Sequence, residues 1–157
     1  MVLQSHLTST HELGVVLVEL RDMVRGRDIL ERLLKIDPHN HIGHGYLGTV
    51  HLYAGERKQA IGHYEQSLLT DPNDPIVCGN LATLFAQGKR WADAHSLLLR
   101  ALKSLPDDPQ LHMSMCDVLI NEHDFASAAQ HYRQAIAVKP QFRNANIEKK
   151  LADQGFW

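Results

Sequence analysis

The chain has 157 residues, 44% of them hydrophobic, and a formal net charge of −2, which suffices either for one ordinary domain burying roughly 70% of its unfolded surface or for about four stacked helix pairs. Its near-neutral balance excludes the broad basic footprint of non-specific nucleic-acid binding or of adhesion to an anionic membrane. No run of about 20 apolar residues offers a transmembrane helix.

Taken from the N-terminus, the apolar stretch Leu13 to Leu20 has no Lys or Arg ahead of it and is interrupted by Glu19, so a secretory leader is not expected. Cys78 and Cys116 are too far apart for a CxxC motif and fit buried, reduced thiols. A cytoplasmic protein is the expectation. Pro38, Pro72, Pro106 and Pro140 then fall 34 residues apart with their surroundings in register, a period that marks an array of helical repeats. It predicts units over 7–40, 41–74, 75–108 and 109–142, each two antiparallel helices A and B, in a single repeat domain over 1–157.

The first unit fits at Leu13, Gly14, Leu17, Leu30 and Pro38 but departs at Gly26 and Leu33. In the second, helix A carries Tyr46, Leu47, Gly48 and Tyr53, Gly55 makes the turn, and helix B carries Ala60, Tyr64 and Ser67 before Pro72. Moving on by 34 gives Leu81, Ala82, Ala94, Leu98, Ala101 and Pro106, and then Met115, Cys116, Ala128, Tyr132, Ala135 and Pro140. Small residues recur where two helices must touch, because longer side chains would push them beyond their usual spacing of about 8–10 Å. Gly48, Ala82 and Cys116 are expected to meet Ala60, Ala94 and Ala128, with Tyr64, Leu98 and Tyr132 plugging the gap towards the following unit. Each proline ends a helix B. Asn40, Asp74 and Asp108 sit at N-cap positions, with Pro75 and Pro109 at the first helical residue. Residues 143–157, with Ile147, Leu151 and Ala152 on an otherwise polar segment, read as a helix capping the open end.

Small, Ala, aromatic or Leu, Ala and Pro at fixed offsets resemble the tetratricopeptide repeat family over about residues 7–142. The resemblance implies an all-α, right-handed solenoid of four helix hairpins plus a C-terminal cap, with the A helices lining a concave face where partners bind. The family's groove-facing offsets imply Thr8, His11, Glu12, Val15 and Glu19 in the first unit and Ile42, Gly45, Tyr46, Thr49 and Tyr53 in the second. They add Ile76, Gly79, Asn80, Thr83 and Gln87, then Gln110, Met113, Ser114, Asp117 and Asn121. Ile42, Tyr46, Tyr53, Ile76 and Met113 would be apolar walls, with Thr49, Asn80, Thr83, Gln87 and Asp117 as the polar and acidic groups. With no Lys or Arg among them, the implied partner is a neutral or basic protein segment with apolar anchors.

Two known uses of the fold do not fit. The clamp that holds acidic chaperone tails needs Lys, Asn and Arg where this chain has Gly45, Thr49, Asn80, Gln110 and Ser114; only Asn80 agrees, and the tail carboxylates would lose charge-assisted bonds. A ladder of asparagines would need Asn at Glu12, Tyr46, Asn80 and Ser114. The leading expectation is therefore an adaptor or scaffold. The alternatives are a chaperone similar to those of type III secretion, for an apolar secreted subunit, and a self-assembling structural protein, with Phe156 and Trp157 on a flexible terminus docking into a second copy or a partner.

Eleven histidines raise the question of a metal. His39 and His41 flank the cap residue Asn40, while His44 and His51 fall at positions that pack inside the unit, so packing is the expected role and neither metal nor cofactor is implied. His11-Glu12 begins an HExxH motif that fails at Val15. Phosphate-binding glycine loops and GxSxG elbows are absent from the sequence, and the cysteines hold packing positions. An enzyme is not expected.

Overall fold

A computed structural model of the protein describes residues 12–157, and all regular structure among them is helical. Thr8 and His11 lie outside the described residues. The helices are α1 (described over 12–19), α2 (Met23–Ile36), α3 (His41–Tyr53), α4 (Arg57–Thr70), α5 (Pro75–Gln87), α6 (Trp91–Ser104), α7 (Pro109–Asn121), α8 (Phe125–Val138) and α9 (Ala145–Asp153), with one 3-10 turn at Pro140–Phe142. The chain divides into two compact units, the first ending at Pro72 and the second beginning at Asn73.

Local chemistry accounts for the boundaries. The side chain of Asn40 accepts from the Gly43 amide, that of Asp74 from Ile76 and Val77, and that of Asp108 from Leu111, which satisfies orphan donors of α3, α5 and α7. At the other end, Asp37, Asp71, Leu105 and Lys139 precede the repeat prolines and leave helical geometry at ψ 85°, 86°, 72° and 87°, as the ring of a following proline demands. Each A helix turns into its B helix through one left-handed residue: Arg21, Gly55, Lys89 and His123, at φ 65°, 76°, 60° and 64°. The amide after that residue reaches back five residues, as from Glu56 to the His51 carbonyl and from Arg90 to Phe85, closing the helix end.

In the first unit Val18, Leu30, Leu33, Leu47 and Val50 form the core, with Met23, Leu34 and Tyr46 packed against it. The glycines decide how closely helices approach. A Cβ at Gly48 would lie 2.6 Å from two ring carbons of Tyr64, and one at Gly14 would lie 2.8 Å from Leu30. The small residue of helix A thus makes room for the large residue of its own helix B. Tyr64 fills the hairpin against Gly48, and its hydroxyl lies 3.1 Å from Thr49 Oγ1. Gly26 and Leu33, the departures of the first repeat, are both buried: Gly26 lies against Val18, and Leu33 belongs to the core.

In the second unit α5 pairs with α6, α6 meets α7, and α7 pairs with α8. Cys78, Ala82, Ala94, Leu98, Ala101, Met115, Cys116, Ala128, Tyr132 and Ala135 are buried. Neither cysteine is in a disulfide, and burial pushes the Cys116 thiol up to about 12, so it is protonated and unreactive. Helix α9 begins at the Asn144 cap and buries Ile147 and Leu151. Tyr132 is turned to its service: the Asn144 amide donates to the phenol oxygen at 2.6 Å, and the phenol donates to Glu148.

Candidate functional site

The second unit carries open concavities between its A helices. One, of about 430 Å³, is floored by Ala82, Ala86, Leu98, Val118 and Ile120 and rimmed by Thr83, Gln87, Ser114, Asp117, Asn121 and Lys150. The other, of about 190 Å³, is lined by Ile76, Gly79, Asn80, Thr83, Gln110, Leu111 and Ser114. Thr83 and Ser114 belong to both, so the two make one groove along α5 and α7. Side chains three and four apart on each helix supply it.

Of the residues implied by the resemblance, the groove brings together Ile76, Asn80, Thr83, Gln87 and Asp117. Ile76 is 68% exposed, a bare apolar anchor beside polar neighbours. Thr83 Oγ1 donates to the Gly79 carbonyl, which fixes its rotamer. Met113 is half-buried and lines neither concavity. Asp117 is exposed by surface area, yet its flanking helices desolvate it enough to raise its carboxyl above the ordinary value, against the pull of Lys150.

Lys150 is the group that helix-A offsets could not reveal, because it comes from the capping helix. The inner wall of this unit therefore holds one cation beside Asp117, not the cation-free surface implied by the A helices. Its only sequence signal is the 3–4 residue spacing of Ile147, Lys150 and Leu151 along the cap, which places Lys150 next to the buried stripe.

In the first unit the implied residues are less free. Tyr46 packs against the core, and its hydroxyl donates to Glu19 at 3.1 Å. Thr49 Oγ1 donates to the Gly45 carbonyl and meets the Tyr64 hydroxyl. Ile42 is half-buried. Tyr53 is 57% exposed, with the Arg21 guanidinium 4.4 Å from its ring centre; like Lys150, this cation comes from outside the A helices.

The terminal aromatics are not loose. Trp157 lies edge-on to Tyr132 with ring centres 5.0 Å apart and sits near the Arg133 guanidinium, which also donates to the Phe156 carbonyl at 2.7 Å. Trp157 is thus held on its own α8.

The histidines are paired across hairpins. His44 Nδ1 lies 2.9 Å from His63 Nδ1, and His112 Nδ1 lies 2.8 Å from His131 Nδ1. His51 stacks on His63 and bonds Glu56, which also receives Arg27; His95 bonds Glu122. No group of three or more metal-ligating side chains comes together among the described residues, and none of the helices there is long and apolar enough to cross a membrane.

Residues 51–115 match the family model of the tetratricopeptide repeat. No curated protein matches the chain in sequence. Solved structures share its fold at low identity. PilF of Pseudomonas aeruginosa is 20% identical, with 96% of this chain and 68% of that one covered and a TM-score of 0.75. MamA is 19% identical, with 96% and 83% covered and a TM-score of 0.80. The Cut9–Hcn1 hetero-tetramer of the APC/C is 17% identical, with 93% and 29% covered and a TM-score of 0.76. With its hairpins closed by small residues and its prolines in register, the chain has the all-α solenoid fold of tetratricopeptide-repeat proteins, and its central residues 51–115 match that family's repeat.

Proposed function

We propose that the protein is a non-enzymatic adaptor or scaffold that holds a segment of a partner protein along its A helices, in the second unit against Ile76, Asn80, Thr83, Gln87 and Asp117. The observation that carries this reading is the α5–α7 groove: an apolar floor, an exposed isoleucine, and amide, hydroxyl and carboxylate groups from two successive repeats on its rim. An extended chain needs this combination, since apolar anchors supply binding free energy and polar groups meet its peptide groups. Asp117 disfavours an acidic segment and Lys150 beside it offsets a strongly basic one, so the preferred partner is largely uncharged with apolar anchors. In the first unit the proposed contact residues on α3 are Ile42, Tyr46, Thr49 and Tyr53, of which Tyr53 is the exposed anchor. Cut9, a structural neighbour, assembles with another protein, Hcn1, and the same class of interaction is proposed here.

The test is a pull-down with the intact chain, followed by mass spectrometry, beside the triple variant Asn80→Ala/Thr83→Ala/Gln87→Ala. All three side chains reach solvent, so the variant is expected to fold. Stoichiometric capture of a partner by the wild type, weakened at least about tenfold in the variant, supports the groove. Equal capture by both moves the contact elsewhere.

A further inference from the structure

The repeat histidines form a device that the groove does not use. His44 and His63, on α3 and α4, are two repeats upstream of His112 and His131, on α7 and α8, and each pair meets through its Nδ1 atoms. On the far side of each A-helix ring, Nε2 faces the carbonyl of the repeat proline: Pro38 at 3.0 Å from His44 and Pro106 at 2.7 Å from His112. A carbonyl only accepts, so Nε2 carries a hydrogen. The neutral A-helix ring must then present a bare Nδ1, and the B-helix ring must donate. Ring centres lie only 5.2 and 5.0 Å apart, which places the two nitrogens close to the line between them, with room for one hydrogen and for no metal ion. A first added proton goes to the outer Nε2 of the B-helix histidine and leaves the bond intact. A second must go to the A-helix Nδ1, setting N–H against N–H.

We propose that these two pairs are acid-sensitive pins, each able to hold at most one positive charge where the unfolded chain takes two, so that acidification opens the α3–α4 and α7–α8 hairpins while α5–α6 stays closed. The surroundings oppose even the first charge. His63 faces His44 and the stacked ring of His51 on α3, with Glu56 in the turn already engaged by His51 and by Arg27 from α2. His131 faces His112 on α7 and His95 on α6; Glu122 is held by His95, and Asp124 by the Ser127 amide. Burial first, then these neighbouring imidazoles, lowers the basicity of both B-helix rings, that of His63 to about 4. The sign follows: a histidine less basic folded than unfolded contributes stability that is complete above about pH 6.5 and is lost as the pH falls towards 4.

The third repeat is a built-in control. At the same positions it has Cys78 and Leu97, both buried, and its hairpin lacks the pin. Repeat arrays open locally, so the difference is readable hairpin by hairpin.

Hydrogen exchange of the whole chain, read by mass spectrometry at pH 7.5 and 5.0 and corrected for intrinsic rates, tests this. Protection in α3–α4 and α7–α8 is expected to fall about tenfold or more, with α5–α6 unchanged. The double variants H44C/H63L and H112C/H131L copy the third repeat into each pin, and each is expected to abolish the acid response of its own hairpin alone. Should either fail to fold, the wild-type pattern still decides. Equal loss in all three hairpins, no loss at pH 5.0, or an acid response that survives in a folded variant would overturn the proposal.

Discussion

The ring of Tyr64 rests against the bare Cα of Gly48, so close that a methyl group there would lie 2.6 Å from two of its carbons. The same relation holds between Gly14 and Leu30, and Ala82 with Leu98 and Cys116 with Tyr132 stand at the equivalent positions, all buried. The spacing of each hairpin is thus a compromise between the volume of one helix-B side chain and the absence of one on helix A.

Gly48→Ala is accordingly expected to destabilise the protein by about 1–2 kcal/mol in urea unfolding, because the overlap with a rigid ring outweighs the gain in helix propensity. Gly48→Ala/Tyr64→Leu, which copies Ala82 and Leu98, should recover most of that loss. A double variant no better than Gly48→Ala alone would refute the compensation.

Lys89 holds a left-handed conformation at φ 60° in the turn between α5 and α6, where the equivalent residue of the preceding repeat is Gly55. Lys89→Gly should stabilise by about 0.5–1 kcal/mol, relief of strain exceeding the added entropy of the unfolded glycine. A fall in thermal midpoint would contradict this.

Asp74 accepts from two amides, at 2.9 and 3.0 Å, at the start of α5. Asp74→Ala is expected to cost about 1 kcal/mol with an unchanged denaturant slope, while Asp74→Asn costs less. Equal loss in both would show that charge at the helix terminus, rather than the hydrogen bonds, is what matters.

Trp157 packs on Tyr132 and Arg133 of its own α8. Trp157→Ala should lower stability by about 1 kcal/mol and leave the mass measured by light scattering unchanged across concentration. A mass that falls in the variant would place the ring in a contact between copies.

Tyr46 and Tyr53 should behave differently. Tyr46→Ala removes a core contact and the bond to Glu19, so it should unfold the first unit more easily by about 2 kcal/mol. Tyr53→Ala removes an exposed ring and should cost under about 1 kcal/mol. Reduced partner capture by folded Tyr53→Ala would extend the contact into the first unit.

The helices, their caps and their stops were legible because each depends on neighbours in sequence. Asn40, Asp74 and Asp108 cap within three residues, the prolines act on the residue before them, and a period of 34 repeats the instruction. Half of the candidate groove was legible for the same reason, since Asn80, Thr83 and Gln87 share one face of α5 through helical spacing alone.

Tertiary structure decided the rest. Periodicity marks His44 and His112 as inward-facing without naming the ring each meets, because His63 and His131 lie 19 residues on and are brought there by the turn and the packing of two helices. Lys150 reaches the groove, and Trp157 its own α8, only through the docking of α9 and the chain that follows it. Local geometry is written in local spacing; which distant side chains share a volume follows only from how closely the helices pack, and here that closeness is governed by glycines, alanines and a cysteine.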